Sequence, residues 1–588
     1  MAEEKVPFEK QLFHKAHSGN GPLKLGIYLA LLAFLVSCGI ALQPEKIQPS
    51  HSDSNRKLRC SAPLPTLLAS NPPGPDAPGF KRAAASLHDF LSLRTASPDI
   101  DSLSVAIVTP VGAIFESGYG VLRANESDPA KRGTVTRDSI YRIASITKMF
   151  TVLETLILRE RGFLNWDDPV TKFIPNFTSP SYGWSDYLNG SEIASGSDNA
   201  PITLRQLASH LSGIGRDYPP YDVGEWPAPV SGPGNQGDEL EGRRNGSLER
   251  LLGAVAKYPL VTPQYTFPVY SNAGFDTLGL CNVAANELAT GQVRTHRELL
   301  QEHVFGPLGL NSSFYHIPNS RLAAQVAVPL SHSEWADLAF SPVYDPAGGQ
   351  YSSLADLTTV MQNFLSPRAT GVVSPYVIRE WLRPMHAWSD GFREVGAPWE
   401  IAKVGKEARL YSKGGNLSGY HSQFVLNPQW SYGVIVLVAG NYTDTVALAR
   451  EAISRFQPAF ESLLLMQVLS TYCGIWIGDD SVAVVTVEHE ALYLETLIIG
   501  DMDVLSLLQR NPLGESSSVA LWSTGRPHEF RLALGRAELN GNLDAGCEPY
   551  WISIDYPTAR GAPLDLLLWD GDELVYPSAG VRLGRYSN

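Results

Sequence analysis

Ser145 and Lys148 stand three residues apart in the run YRIASITKMF, a spacing that puts two side chains on one face of a helix. A serine hydroxyl is a poor nucleophile until a neighbouring group takes its proton, and a lysine held in a partly desolvated pocket can be neutral enough to do so. At the front of a helix, backbone N–H groups are also available to stabilise developing negative charge. The chemistry implied is acyl transfer through a serine. Two further elements follow in order: Tyr270-Ser271-Asn272, opening YSNAGFDTLGL, and Lys413-Gly414-Gly415. Each element has a decoy that context rejects. Ser54-Asn55-Arg56-Lys57 sits in a polar stem, Tyr187-Leu188-Asn189 lies in a Ser/Gly/Asp loop with no helix behind it, and Lys403-Val404-Gly405 is a second Lys-x-Gly. No His-Glu-x-x-His stretch or comparable cluster occurs, so neither metal nor cofactor is expected.

These residues need elements to hold them. Ser104 to Glu116 carries two β-rich runs around Pro110-Val111-Gly112, a hairpin near the edge of a sheet. Ile143 to Gly162, with Met149, Phe150, Val152, Leu153, Leu156 and Ile157 apolar and Gly162 at its end, reads as a buried helix. Asn272 onward reads as a second helix, with Phe275, Leu278 and Cys281 on one face. Tyr420 to Leu426, a turn at Pro428-Gln429-Trp430 and Tyr432 to Ala439 form a hairpin of a central sheet, and a helical run follows from Thr445 to about Leu469. Beyond Tyr472 short alternating strands predict a separate antiparallel β domain. Two long stretches, Ser179 to Pro201 and Gly215 to Asn245, shift to Gly, Ser, Pro and Asp with scattered aromatics and read as loops able to cover a cleft.

Three motifs in this order resemble the superfamily of class C β-lactamases, D,D-peptidases and serine esterases. ITLRQLASHLSGI (Ile202 to Ile214), LNWDDPVTKFIPNF (Leu164 to Phe177) and YDPAGGQYSSLADL (Tyr344 to Leu357) look like framework segments of that family. The resemblance covers roughly Lys81 to Phe460, and the rest looks like the accessory β domain of fungal β-lactamase-like proteins. It implies an α/β transpeptidase-like domain, a central antiparallel sheet flanked by helices, followed by a small antiparallel β domain. By the same resemblance Ser145 is the acylated nucleophile, Lys148 its proton-accepting partner and Tyr270 the shared general base. Asn272, Lys413, Gly415 and Asn416 are the expected substrate-binding positions. Asn272 orients Lys148, Lys413 polarises Tyr270 and attracts anionic substrate groups, and the backbone N–H groups of Ser145 and Asn416 form an oxyanion hole. Gly414 departs from the pattern, because penicillin-hydrolysing relatives carry Thr or Ser there, and it fits esterase-like relatives better. The expected activity is a serine hydrolase acting on an ester, amide or thioester. The rival is an acyltransferase of secondary metabolism, and a non-catalytic binding role is opposed by the intact Ser145, Lys148 and Tyr270 set. His210 and His421 read as framework and rim residues.

The whole chain of 588 residues divides on these patterns into a tail (1–24), an apolar segment (25–42), a stem (43–80), the catalytic domain (81–460) and the C-terminal β domain (466–588). Leu25 to Leu42 carries no charge and is long enough to span a bilayer, so it reads as an anchor or a signal segment, with the catalytic domain lumenal or extracellular. Seven N-x-S/T triplets, at Asn125, Asn176, Asn189, Asn245, Asn311, Asn416 and Asn441, fit that route, with Asn416 expected to stay unmodified because it borders the cleft. Of five cysteines, Cys473 and Cys547 are expected to pair within the β domain, leaving Cys60 for Cys281. A net charge of −14 repels phosphate backbones and anionic headgroups, so the partner expected is a small acyl substrate, not nucleic acid, with membrane contact through the N-terminal segment alone.

Overall fold

The computed structural model describes residues 60–180, 182–183, 200–218, 244–366, 372–404, 408–488, 490–509, 518–534, 554–555 and 557–586. These fall into two compact units, one within 68–461 and a second made of the described residues of 462–586 with 60–67.

The larger unit is built on one antiparallel sheet. Its strands are β1 (Ile100–Thr109), β2 (Gly112–Gly120) and then, after the short pair β3 (Ile140–Arg142) and β4 (Tyr351–Ser353), β5 (His386–Ala387), β6 (Arg393–Val395), β7 (Glu400–Val404), β8 (Ala408–Leu417), β9 (Tyr420–Asn427) and β10 (Tyr432–Gly440). The spatial order is β2-β1-β10-β9-β8-β7-β6-β5. The β1–β2 hairpin and the β9–β10 hairpin sit where the hydrophobic runs predict them. Both faces of the inner strands are covered: every residue of β9 and β10 is buried, and β10 accordingly reads as a near-continuous apolar run, while β9 buries His421, Ser422, Gln423 and Asn427 among its apolar residues.

The helices that frame the sheet and the site include α1 (Phe80–Arg94), α2 (Thr147–Glu160), α3 (Asn272–Thr290), α4 (Leu354–Leu365) and α5 (Thr445–Tyr472), the last belonging to this unit as far as Glu461. Strand alternation sends Tyr432 and Phe424 to opposite faces. Tyr432 stacks on Phe460 of α5 at 4.1 Å, and Phe460 in turn meets Phe80 of α1 at 4.8 Å. On the other face Phe424 meets Phe364 of α4, ring centroids 6.3 Å apart, and Gly433 lets Met361 of α4 lie against the backbone of β10.

Helix α2 lies inside this helical layer. Every residue from Thr147 to Leu158 is buried, not one stripe alone, and its threonines find partners in the surrounding elements. Thr155 donates to Asn282 of α3 (3.0 Å), and Asn282 donates to the Thr151 carbonyl (3.1 Å). Gly162, at φ 77°, follows the end of α2 in a left-handed conformation that glycine takes without strain.

The second unit holds an antiparallel β barrel running from Gly474–Ile477 to Val581–Arg585, closed by the pairing of Ser481–Glu488 with Ala491–Ile499. Tyr472, Trp476, Phe530 and Trp569 pack as its aromatic centre.

One expected disulfide is corrected. Cys281 is a free, fully buried thiol on the inner face of α3, its ionisation opposed by burial, so the disulfide that Cys60 makes is with another cysteine. The expected partner of Cys473, Cys547, lies outside the described residues, as do the apolar segment Leu25 to Leu42, most of the two long loops, and the decoys at Ser54 and Tyr187. Among the described residues no helix is long and apolar enough to cross a membrane.

Leu153 is fully buried at the centre of α2. Leu153→Ala is expected to lower stability by about 2–5 kcal/mol through lost burial and a residual cavity, read as a reduced urea midpoint with an unchanged slope.

Candidate active site

Ser145 lies in a short 3-10 turn, Ala144–Ile146, which runs directly into α2. Ala144 takes a left-handed φ of 47° although it has a Cβ, a conformation that persists only where surroundings enforce it. Three contacts do so. Ser422 of β9 donates to the Ile143 carbonyl (2.8 Å), the Ile143 N–H is bonded to Gln350 (3.1 Å), and Thr147 bonds back to the Ala144 carbonyl (2.5 Å).

Lys148, the second residue of α2 and one turn on from Ser145, is completely buried. Its ammonium donates to Ser145 Oγ at 3.2 Å, to Asn272 Oδ1 at 2.7 Å and to the Ala347 carbonyl at 2.6 Å. Burial pushes its pKa below the usual lysine range despite the pull of Tyr270, and Lys413 nearby adds to the lowering.

Asn272 reaches Lys148 because it is the first residue of α3, whose N-cap is Ser271: the Ser271 hydroxyl accepts from Gly274 N–H (2.8 Å) and donates to the Gly215 carbonyl (2.8 Å). The Asn272 amide donates in turn to Asp217 (3.0 Å), which fixes the amide's orientation.

Tyr270 precedes this cap. Its ring lies 5.0 Å from Lys148 Nζ, 5.1 Å from Lys413 Nζ and 5.0 Å from the Arg216 guanidinium. Burial by itself would raise a phenol, but Lys148, Lys413 and the Ser145 hydroxyl outweigh it and bring Tyr270 down to about 8. His210 stacks on the Tyr270 ring at 4.5 Å and accepts the Ser271 N–H at Nδ1 (3.0 Å). Burial and the cations Lys148, Lys413 and Arg216 hold His210 neutral, well below the usual imidazole range. Thus His210 is a framework residue, as expected, but one that holds the Tyr270 motif directly.

Lys413 is buried on β8 with its ammonium 2.6 Å from Glu400 of β7 and 2.9 Å from the Gly414 carbonyl. Although burial works against the charge, Glu400 and then Tyr270 raise its pKa. Gly415 is where the sheet meets the serine turn: a Cβ there would stand 3.0 Å from Ser145 N and 2.5 Å from Ser422 Oγ, and would strike the Ile143 carbonyl. Asn416 follows, its side chain bonded to His421 of β9 at 2.8 Å. A cavity of about 400 Å³ opens here, lined among others by Ser145, Arg216, Asn272, Phe340, Asn416 and His421.

The structure therefore brings Ser145, Lys148, Tyr270, Asn272, Lys413, Gly415 and Asn416 around one cleft. Sequence reading missed Arg216, Asp217 and Glu400, which belong to no motif; only the β7–β8 register, which pairs Glu400 with Ser412, places Glu400 there. Among the described residues no group of His, Cys, Asp and Glu is arranged to hold a metal ion.

An antiparallel sheet covered by helices, with a serine–lysine turn, a Tyr-x-Asn element and a Lys-Gly strand meeting at one cleft, is the architecture of the β-lactamase/transpeptidase class. The Beta-lactamase family model matches residues 87–456, so the chain belongs to the beta-lactamase family, a family of serine hydrolases. Among its relatives, Beta-lactamase-like protein str6 of Strobilurus tenacellus is 34% identical over 49% of this chain and 98% of its own length. A Beta-lactamase-like protein of Arthroderma benhamiae is 28% identical over 89% of this chain and 93% of its own. A solved Yersinia pestis beta-lactamase/D-alanine carboxypeptidase has the same fold, with a TM-score of 0.50 at 18% identity, covering 64% of this chain and 98% of that one.

Gly415→Val is expected to leave the protein folded by circular dichroism but to displace the Ser145 turn, cutting kcat/KM on an activated ester by at least about 100-fold, since misplacement of about 1 Å at a nucleophile carries that cost.

Proposed function

We propose that this chain is a serine hydrolase that works through an acyl-enzyme on an ester, amide or thioester. The observation that carries the reading is the buried Lys148 ammonium, 3.2 Å from Ser145 Oγ in a site where it is pushed toward its neutral form. Ser145 Oγ attacks the acyl carbonyl, and its proton passes to the Lys148–Tyr270 pair. The tetrahedral oxyanion lies against the backbone N–H groups of Ser145 and Asn416. Collapse expels the leaving group, which takes the proton back, and Tyr270 then draws a proton from the water that hydrolyses the acyl-enzyme. Asn272 holds Lys148 in line, and Lys413 lowers the cost of a Tyr270 phenolate.

Support comes from the proximity of these groups and from the opposite pushes on them: an acid lowered to about 8 beside a base lowered from the lysine range is a pair able to exchange a proton near neutral pH.

Labelling by an uncharged fluorophosphonate, located by peptide mass spectrometry, is expected at Ser145 and lost in Ser145→Ala. Label persisting in that variant would refute the nucleophile. With an activated ester, kcat/KM is expected to fall as pH drops through about 8, because protonating Tyr270 removes the base. Tyr270→Phe is expected to abolish that limb and to lower kcat/KM by about 10²–10⁴-fold, the range typical of a positioned base. The same donor incubated with increasing alcohol gives the ratio of transfer to hydrolysis. Free acid is expected to dominate without alcohol; negligible free acid from a readily acylated enzyme would replace the hydrolase with an acyltransferase.

A further inference from the structure

The resemblance in the sequence assigns Lys413 the task of attracting an anionic substrate group, and the structure gives that lysine another partner. Strand pairing between β7 and β8 ends at Glu400 with Ser412, so Lys413 to Leu417, the part of β8 facing Ser145, continues past the end of β7. The Glu400 carboxylate folds over that end. One oxygen takes the Lys413 ammonium at 2.6 Å and the other stands 3.4 Å from the Gly414 N–H. Gly414 has no hydroxyl to add, and a Cβ on it would lie 2.9 Å from Gln423 Oε1 and 3.8 Å from Glu400 Oε2. The other cation of the cleft, Arg216, has Asp217 beside it at 3.7 Å. Lys148 is buried and already bonded to Ser145, Asn272 and the Ala347 carbonyl.

Gly414 is one residue from Gly415, which lies against the Ser145 amide, and consecutive Cα atoms are about 3.8 Å apart. A substituent a few bonds from the scissile carbonyl, running along β8, therefore passes Glu400. A carboxylate there meets a negative oxygen, a lysine whose charge is already matched and a backbone N–H already approached by Glu400.

We propose that Glu400 is a specificity-determining residue which makes the cleft select acyl donors with an uncharged group beside β8 and reject donors carrying a carboxylate at that place. The inference rests on the acyl-enzyme reading above. Glu400 does not touch the reacting atoms in this scheme; it sets the charge of the surface along which the acyl chain lies.

The test compares two donors of equal length, the mono-4-nitrophenyl ester of adipic acid and the 4-nitrophenyl ester of its monoamide, on wild type and Glu400→Gln. Wild type is expected to favour the amide by about tenfold in kcat/KM, and Glu400→Gln to narrow that ratio at least about fivefold through a lower KM for the carboxylate donor, a scale set by one charge contact in a half-exposed site. The ratio is independent of the fraction of folded enzyme. Because Glu400 opposes the lowering of Tyr270, the acid limb of the Glu400→Gln profile is expected at lower pH than in wild type. A ratio unchanged by Glu400→Gln, or a wild type that prefers the carboxylate donor, overturns the inference. Fluorophosphonate labelling of Ser145 in both proteins separates this failure from failure of the acyl-enzyme reading, which would leave Ser145 unlabelled.

Discussion

A lysine ammonium with no exposure to water, held by one hydroxyl, one amide and one carbonyl, is the constraint around which the catalytic unit is organised. Burying such a charge costs several kcal/mol unless polar partners replace its hydration. Each partner of Lys148 comes from a different element: the Ser145 turn, the first residue of α3 and the segment containing Ala347. The position of those elements is therefore coupled to one side chain. The same burial moves Lys148 toward its neutral form, so what is costly for the fold is useful for the chemistry.

The second constraint is closeness. The sheet can approach the serine turn only where β8 lacks a side chain, and Gly415 provides that place. Ser422 on the neighbouring strand then ties the turn down through the Ile143 carbonyl, and Ala144 accepts a left-handed backbone between these fixed points. The nucleophile is thus positioned by the sheet on one side and by α2 on the other. Tyr270 is held against the His210 ring with three cations, Lys148, Arg216 and Lys413, around its own.

Elements dominated by local periodicity were legible in the sequence: the α2 run ending at Gly162, the β9–β10 hairpin around Pro428, and the change to short strands after Tyr472. The motif residues were legible too, because Ser145 and Lys148 share a helix turn and Asn272 opens a helix, so their chemistry follows from local spacing. Glu400, Arg216 and Asp217 were not. They reach the cleft through strand register and loop path, which are non-local, and as isolated charges they look like solvated surface. The Cys60 to Cys281 pairing failed for a related reason. Cysteine arithmetic counts partners without regard to burial, and Cys281 faces inward from α3 as a free thiol among core side chains.

The register of the central sheet bears on how the protein is made. Strand β1 is inserted between β2 and β10, with Ser104 opposite Leu437 and Ile107 opposite Val434. During synthesis from the N-terminus, β1 therefore leaves the ribosome long before the strand that covers it. Until β10 arrives, the apolar β1–β2 hairpin has an open edge, a template for wrong pairing, and closing so long a loop delays folding more than it weakens the finished sheet. A chain interrupted before Tyr432 lacks β10 and cannot complete the sheet, so ribosome-bound fragments of this unit would be clients for chaperones that shield unpaired strand edges.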